Sequence, residues 1–224
     1  MVVAKWQVDA KNKINRHLEK YKKLIGERKT LNSNEAQTRQ VINWALVNMF
    51  GYDDLEEITP ELNTRNEFAD YAIKIKGEFK FMIETKRAAI KLNAHHLDQI
   101  VSYTIENGIG WVLITNGSEF RFYKIANASP LVKDLVFSID IFDEDKKKSE
   151  IVEDLFLLSR PAVIHEFPLI NRWKQSITIS DASICEALVS DKVLNALRTV
   201  LKSKTGFLVN ADDIRKKLKL MFSE

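Results

Sequence analysis

A chain of 224 residues, 45% hydrophobic and 29% charged, can bury the core of one large domain or of one domain with a helical appendage. Its net charge of +3 permits a nucleic-acid partner without arguing for one, and seven Gly and four Pro leave little room for long linkers. The single cysteine, Cys185, excludes an internal disulfide and a Cys-rich zinc site. The start at Met1 runs straight into charged sequence, and no apolar run is long enough for a membrane span, so a cytoplasmic setting without membrane contact is expected.

Taken in chain order, residues 5–29 read as a basic helix, with Ile14, Leu18, Tyr21 and Ile25 at helical spacing. Its lysines and arginines outnumber Asp9, Glu19 and Glu27. They could bind phosphates, although an amphipathic helix packed on the domain or on a second subunit explains them slightly better. A second helix is predicted from Glu35 to Phe50, stopped by Gly51. Residues 68–86 alternate as a β-hairpin turning at Lys76-Gly77, with Phe79, Phe81 and Ile83 on one face. A helix from Ile90 to Glu106 follows. Then come a buried strand at Trp111–Thr115, a turn at Asn116-Gly117, a strand from Phe120 to Ile125, and a further strand over 135–142.

The charged stretch Asp143–Lys148 is the best candidate boundary. It divides the chain into a basic N-terminal helix (1–32), a core (33–145) and a mostly helical C-terminal region (146–224). Helices are expected at 150–159, 181–203 and 211–222, around an irregular stretch at Pro161 and Pro168. The order predicts an α/β fold with a mixed sheet entered through helices.

Chemistry concentrates between Asp70 and Lys86. Strand periodicity puts Glu84 and Lys86 on one face, and Asp70 lies at the same end of the hairpin. Two converging carboxylates repel and lose solvation. Mg²⁺ relieves that cost by taking oxygen ligands, and phosphodiester hydrolysis uses such a metal to activate water and neutralise phosphate charge. Alone, the triplet reads as a surface charge pair. Its context argues otherwise: the Glu-X-Lys ends a strongly apolar strand. Gln99 and Tyr103, at i and i+4 on the next helix, share a face that could point at the same carboxylates.

In this ordered set, Asp70, Glu84-Thr85-Lys86 and Gln99-X-X-X-Tyr103, the sequence resembles the PD-(D/E)XK nuclease superfamily. It is most similar to the N-terminal nuclease domain of type I restriction enzyme R subunits. Glu35, the helix end at Phe50-Gly51-Tyr52 and the segment Leu113–Gly117 fit the same likeness, which covers about residues 33–126. The resemblance implies a restriction-endonuclease-like mixed sheet flanked by helices, with an N-terminal helix and a helical C-terminal tail. It also implies Mg²⁺-dependent DNA cleavage, with Mn²⁺ able to substitute, in restriction or defence against foreign DNA. Asp70, Glu84 and Glu35 would be metal ligands, Lys86 the catalytic lysine, and Gln99 a supporting group. Arg87, Lys91 and Tyr103 become candidate DNA contacts, Tyr103 being equally a packed aromatic. The chain lacks the Gly-X-X-X-X-Gly-Lys-[Ser/Thr] phosphate loop of a motor, so no ATP use is expected. It reads as a free-standing relative, or a subunit acting as a homodimer or with partner chains. The alternative is an inactive module of the same fold that binds nucleic acid or a protein. His95 and His96 face different ways on a helix without a third ligand nearby, and read as solvated or packing residues.

Overall fold

The computed structural model describes residues 4–64 and 67–222, and only the backbone of 61–64, 67, 68, 99 and 167. The protein is α/β. Helices α1 (Lys5–Thr30) and α2 (Glu35–Ala45) lead into a six-stranded mixed sheet in sequential order: β1 (Ile58–Thr64), β2 (Glu67–Ile75), β3 (Glu78–Thr85), β4 (Trp111–Thr115), β5 (Glu119–Ala126) and β6 (Val132–Asp140). Every neighbouring pair is antiparallel except β3–β4, which is parallel and is connected through α3 (Ala94–Glu106). A parallel pair needs such a crossover. The crossover carries α3 back along the sheet, so its N-terminus lies at the end of the sheet where β3 and β4 finish.

Apolar residues divide between two cores, one on each face. Ile73, Phe81, Ile83, Leu113, Phe120 and Phe122 face α1, α2, α4 (Lys148–Phe156) and α5 (Arg160–His165). Ala72, Met82, Val112, Ile114 and Ile125 face α3, through Leu97, Ile100 and Val101. This three-layer arrangement buries both faces of the central strands, which is why β3 and β4 read as nearly continuous apolar runs.

One expectation for the hairpin is corrected. Phe79 packs with the α3-side core, whereas Phe81 and Ile83 belong to the opposite one. The cause is a β-bulge. Ile75 pairs with Glu78 and Lys74 with Phe79, but Ile73 pairs with Phe81, leaving Lys80 as an extra residue on β3. Side chains beyond the bulge therefore change faces relative to those before it. The turn itself is as expected: Lys76 and Gly77 both take positive φ, 50° and 87°.

The basic helix α1 is a core element. Ala10, Ile14, Leu18, Tyr21 and Ile25 form its buried stripe. Its lysines spread over neighbouring surfaces: Lys11 pairs with Glu153, and Lys20 lies over Trp44. Near its C-terminal end, α1 grips the turn after β4, where the Tyr21 hydroxyl donates to the Gly117 carbonyl at 2.8 Å. α2 begins in a capping box, with the Asn34 side chain accepting from the Gln37 amide. It passes into a π-helical turn at Leu46–Phe50 and stops at Gly51, φ 88°.

Edge strand β1 was not foreseen; its Pro60 and short alternation hide it. The crossover helix starts at Ala94 rather than Ile90, because Asn93 caps it. The charged turn at 143–148 separates β6 from α4 without separating cores, since Ile151, Val152, Leu155 and Phe156 join α1 in the same cluster. Pro161 starts α5, and Pro168 sits in the first turn of α6 (Phe167–Thr178), positions where a missing N–H costs nothing.

Contacts divide the chain into two compact units, Met1–Trp173 and Lys174–Glu224. The second contains α7 (Asp181–Leu188), α8 (Asp191–Thr205) and α9 (Ala211–Met221), so the helix expected over 181–203 is broken at Val189-Ser190. Arg215 ties this unit together through Asp191 and Asp212, and Asn210 caps α9. No helix among the described residues is long and apolar enough to cross a membrane.

Gly117 and Gly77 allow a controlled comparison. Both have positive φ, but a Cβ on Gly117 would lie 2.2 Å from Ile25 Cδ1, while one on Gly77 would meet nothing within 4 Å. Gly77→Ala is expected to cost about 1 kcal/mol for the left-handed backbone. Gly117→Ala is expected to cost about 3 kcal/mol, because overpacking adds to that strain. Urea unfolding of the two variants measures the difference; equal costs would mean that α1 does not press on this turn.

Candidate active site

The ends of β2 and β3 bring the two acids together. The register runs through Ala72↔Met82 to Tyr71↔Ile83, one residue short of Asp70 and Glu84, and the Asp70 carboxylate reaches the Thr85 amide just beyond. Ala72 and Met82 lie in the α3-side core, so both carboxylates project from that face. Glu84 is buried, with a side chain 12% exposed, and it accepts from Lys86 Nζ at 2.5 Å. Asp70 Oδ1 accepts from Arg39 Nη1 at 2.8 Å, and Oδ2 from the Thr85 amide at 2.7 Å. The site thus holds two partly desolvated carboxylates, each tied to one cation.

The segment after β3 is pinned from both sides. The Lys86 amide donates to the Thr115 carbonyl at 2.8 Å, extending the parallel ladder by one bond. The Ala88 amide donates to Thr38 Oγ1 on α2 at 3.1 Å, and Asn116 Nδ2 donates to the Ile90 carbonyl at 2.7 Å. These bonds fix where the Lys86 side chain leaves the strand. Arg87 and Lys91 point outward and are exposed.

Burial pushes the Glu84 carboxyl up to about 7. The negative charges of Asp70 and Glu35 add to the rise, and Lys86 opposes it. Glu35, half-buried in the first turn of α2, is also raised, by burial first and then by Asp70, with Lys86, Arg39 and Arg87 acting against. The three acids of the sequence reading therefore feel one another's charge. They do not, however, form a group of three or more possible metal ligands; among the described residues there is no such group. Mg²⁺ is commonly held by one or two carboxylates with retained waters, and the Asp70–Glu84 pair supplies that donor set.

The remaining candidates fall in different places. Gln99 lies on α3, and its side chain is outside the described residues. Tyr103, on the same helix, is 1% exposed within the α3-side core, so it is a packed aromatic rather than a surface for DNA. His95 is exposed, whereas His96 is half-buried and closes the N-terminal capping box of α3. Arg39 was overlooked in the sequence, although it lies four residues after Glu35 and so on the same helix face.

Glu84 gives the stability a defined pH dependence. A carboxyl raised from 4.5 to about 7 in the folded protein contributes stability below its ordinary value, which is lost as pH rises through about 7. Glu84→Gln is therefore expected to gain on the natural protein between about pH 5 and pH 8, by at most about 3 kcal/mol, lessened by the lost Lys86 contact. Denaturant unfolding across that range in EDTA checks this. A constant difference between the two proteins would contradict the burial of Glu84.

Residues 34–135 match the family model described as type I restriction enzyme R protein N terminus. The match begins at the cap of α2, includes Asp70, Glu84 and Lys86, and ends within β6. No curated protein and no solved structure matches the chain. The matched segment, residues 34–135, carries the whole Asp70–Glu84–Lys86 cluster and is similar to the type I restriction enzyme R protein N-terminus family.

Proposed function

We propose that the protein is a metal-dependent nuclease that hydrolyses DNA phosphodiester bonds. The observation that carries this reading is the convergence of Asp70 and Glu84 at the ends of β2 and β3, where Asp70 Oδ2 accepts from the Thr85 amide next to Glu84 and Lys86 Nζ lies 2.5 Å from Glu84. Two carboxylates held together out of water repel one another, and a fold keeps such a pair where charge is used. Asp70 and Glu84 would hold Mg²⁺ or Mn²⁺, with Glu35 as a supporting acid. The bound ion would lower the pKa of a water and neutralise charge on the phosphate.

The chain's own groups do the rest. Arg39 and the Thr85 amide fix the Asp70 carboxylate in one orientation. Lys86, at the edge of the cluster, would as an ammonium orient the attacking water or stabilise charge on the phosphate oxygens, and would have to be the neutral amine to take a proton from that water. Gln99 would support the site from α3, and exposed Arg87 and Lys91 would hold the DNA backbone beside it. The family match favours a role in restriction or defence against foreign DNA, with partner subunits; we further propose a cytoplasmic setting, a homodimer as the other assembly, and no use of ATP.

One observation favours an inactive binding module instead: Lys86 and Arg39 already neutralise both carboxylates. Cleavage of plasmid DNA with Mg²⁺ or Mn²⁺ decides between the two. The nuclease reading predicts nicking or cutting that falls about 100-fold or more in Asp70→Asn and in Lys86→Ala, both remaining folded. No cleavage with any divalent metal, or cleavage undiminished in these variants, would contradict it.

A further inference from the structure

The row of residues that contains Asp70 and Glu84 continues across the sheet. Glu84 pairs with Ile114 on β4, and Ile114 pairs with Arg121 on β5. Paired residues share a face, so Arg121 projects on the α3 side with the two carboxylates. At two strand spacings, its backbone lies about 10 Å from that of Glu84. The Arg121 side chain is 24% exposed. Its Nε donates to Glu119 Oε1 at 2.5 Å. A guanidinium carries five N–H donors in a planar fork, and this contact occupies only part of it.

His96 comes to the same place from above. It stands in the first turn of α3, half-exposed, and its Nδ1 accepts the Asn93 amide at 3.2 Å. In the neutral ring that bond puts the proton on Nε2, making it a donor. Burial, then the charges of Lys86 and Arg121, lower the pKa of His96, and α3 begins at the end of the sheet where β3 and β4 finish. Like charges brought together disfavour one another, and an anion between them relieves that repulsion. A phosphate suits the planar fork of an arginine.

We propose that Arg121, with His96 beside it, binds a phosphate of the nucleic-acid strand on which the Asp70–Glu84–Lys86 site acts, one position along the strand from the reacting group. This rests on the nuclease reading. Glu119 is the internal counter-charge that holds the guanidinium in place between encounters, and the phosphate competes with it.

Binding of a short fluorescent DNA duplex, titrated against KCl in EDTA so that no cleavage intervenes, tests this. Arg121→Gln should weaken binding several-fold at low salt and make the slope of log affinity against log salt shallower by about 1, as for one lost phosphate contact. Arg121→Lys should keep the slope. Glu119→Gln should bind more tightly than the natural protein, because the competing carboxylate is gone; a merely structural Arg121–Glu119 pair gives no gain. Natural protein that binds while Arg121→Gln matches its affinity and slope overturns this inference alone. Should Arg121→Gln fail to fold, Glu119→Gln decides: unchanged or weaker binding overturns the inference. Natural protein that binds no duplex at any salt overturns this inference, while plasmid cleavage with Mg²⁺ or Mn²⁺ separately decides the nuclease reading.

Discussion

The geometry of the site depends on one extra residue in β3. Counted directly from the turn at Lys76-Gly77, Ile75 pairs with Glu78, and an unbroken ladder from there would set Asp70 against Ile83. Glu84 would then lie on the other face of the sheet from Asp70, since successive residues of a strand alternate. The bulge at Lys80 moves the ladder by one, so that Asp70 meets Glu84 and both point toward α3. A one-residue shift of register exchanges the faces of every side chain beyond it. Here the exchange also moves Phe81 and Ile83 into the large core with α1 and α2, while Phe79 stays with α3. The placement of the acids and the division of the apolar residues are therefore one constraint, and bulges are commonly found next to active sites for this reason.

With the register set, the surrounding elements serve to hold charge where it is unfavourable. Glu84 is desolvated, faces Asp70 and feels Glu35. Lys86 and Arg39 offset part of that cost from opposite sides, one from the end of β3 and one from α2. The loop between Lys86 and Asn93 is fixed to Thr38, Thr115 and Asn116. The turn at Gly117 is in turn held by Tyr21 of α1. Helix α1 precedes the segment that matches the family model, yet it packs against the turn beside the site and completes the core on that side. The basic residues at the start of the chain thus belong to a structural helix whose lysines are partly engaged with its neighbours.

Much of this was legible in the sequence because it is local. The turn residues, the strand alternation on either side of them and the Glu-X-Lys spacing placed Asp70, Glu84 and Lys86 at one end of a hairpin. The helix starts at Glu35 and Ala211 were equally plain. What was not legible depends on distance or on irregularity. The bulge at Lys80 leaves no mark in an alternating pattern, so the expected common face of Phe79, Phe81 and Ile83 was wrong. Arg39 contacts Asp70 from another element, and Arg121 joins the row only through two strand pairings. His95 and His96 read from the sequence as solvated or packing residues, and the cap of α3 holds His96 half-buried while His95 stays exposed. Tyr103 was balanced between DNA contact and packing, and burial settles it as packing.

The central claim is that Asp70 and Glu84 are a metal pair and not an ion-paired end of a strand. Crystals grown with Mn²⁺ and measured at an energy where manganese scatters anomalously test it directly. The account predicts an anomalous peak within bonding distance of carboxylate oxygens of both Asp70 and Glu84, with Lys86 Nζ moved off Glu84. No peak at saturating Mn²⁺, with the Lys86–Glu84 and Arg39–Asp70 pairs intact, would contradict it.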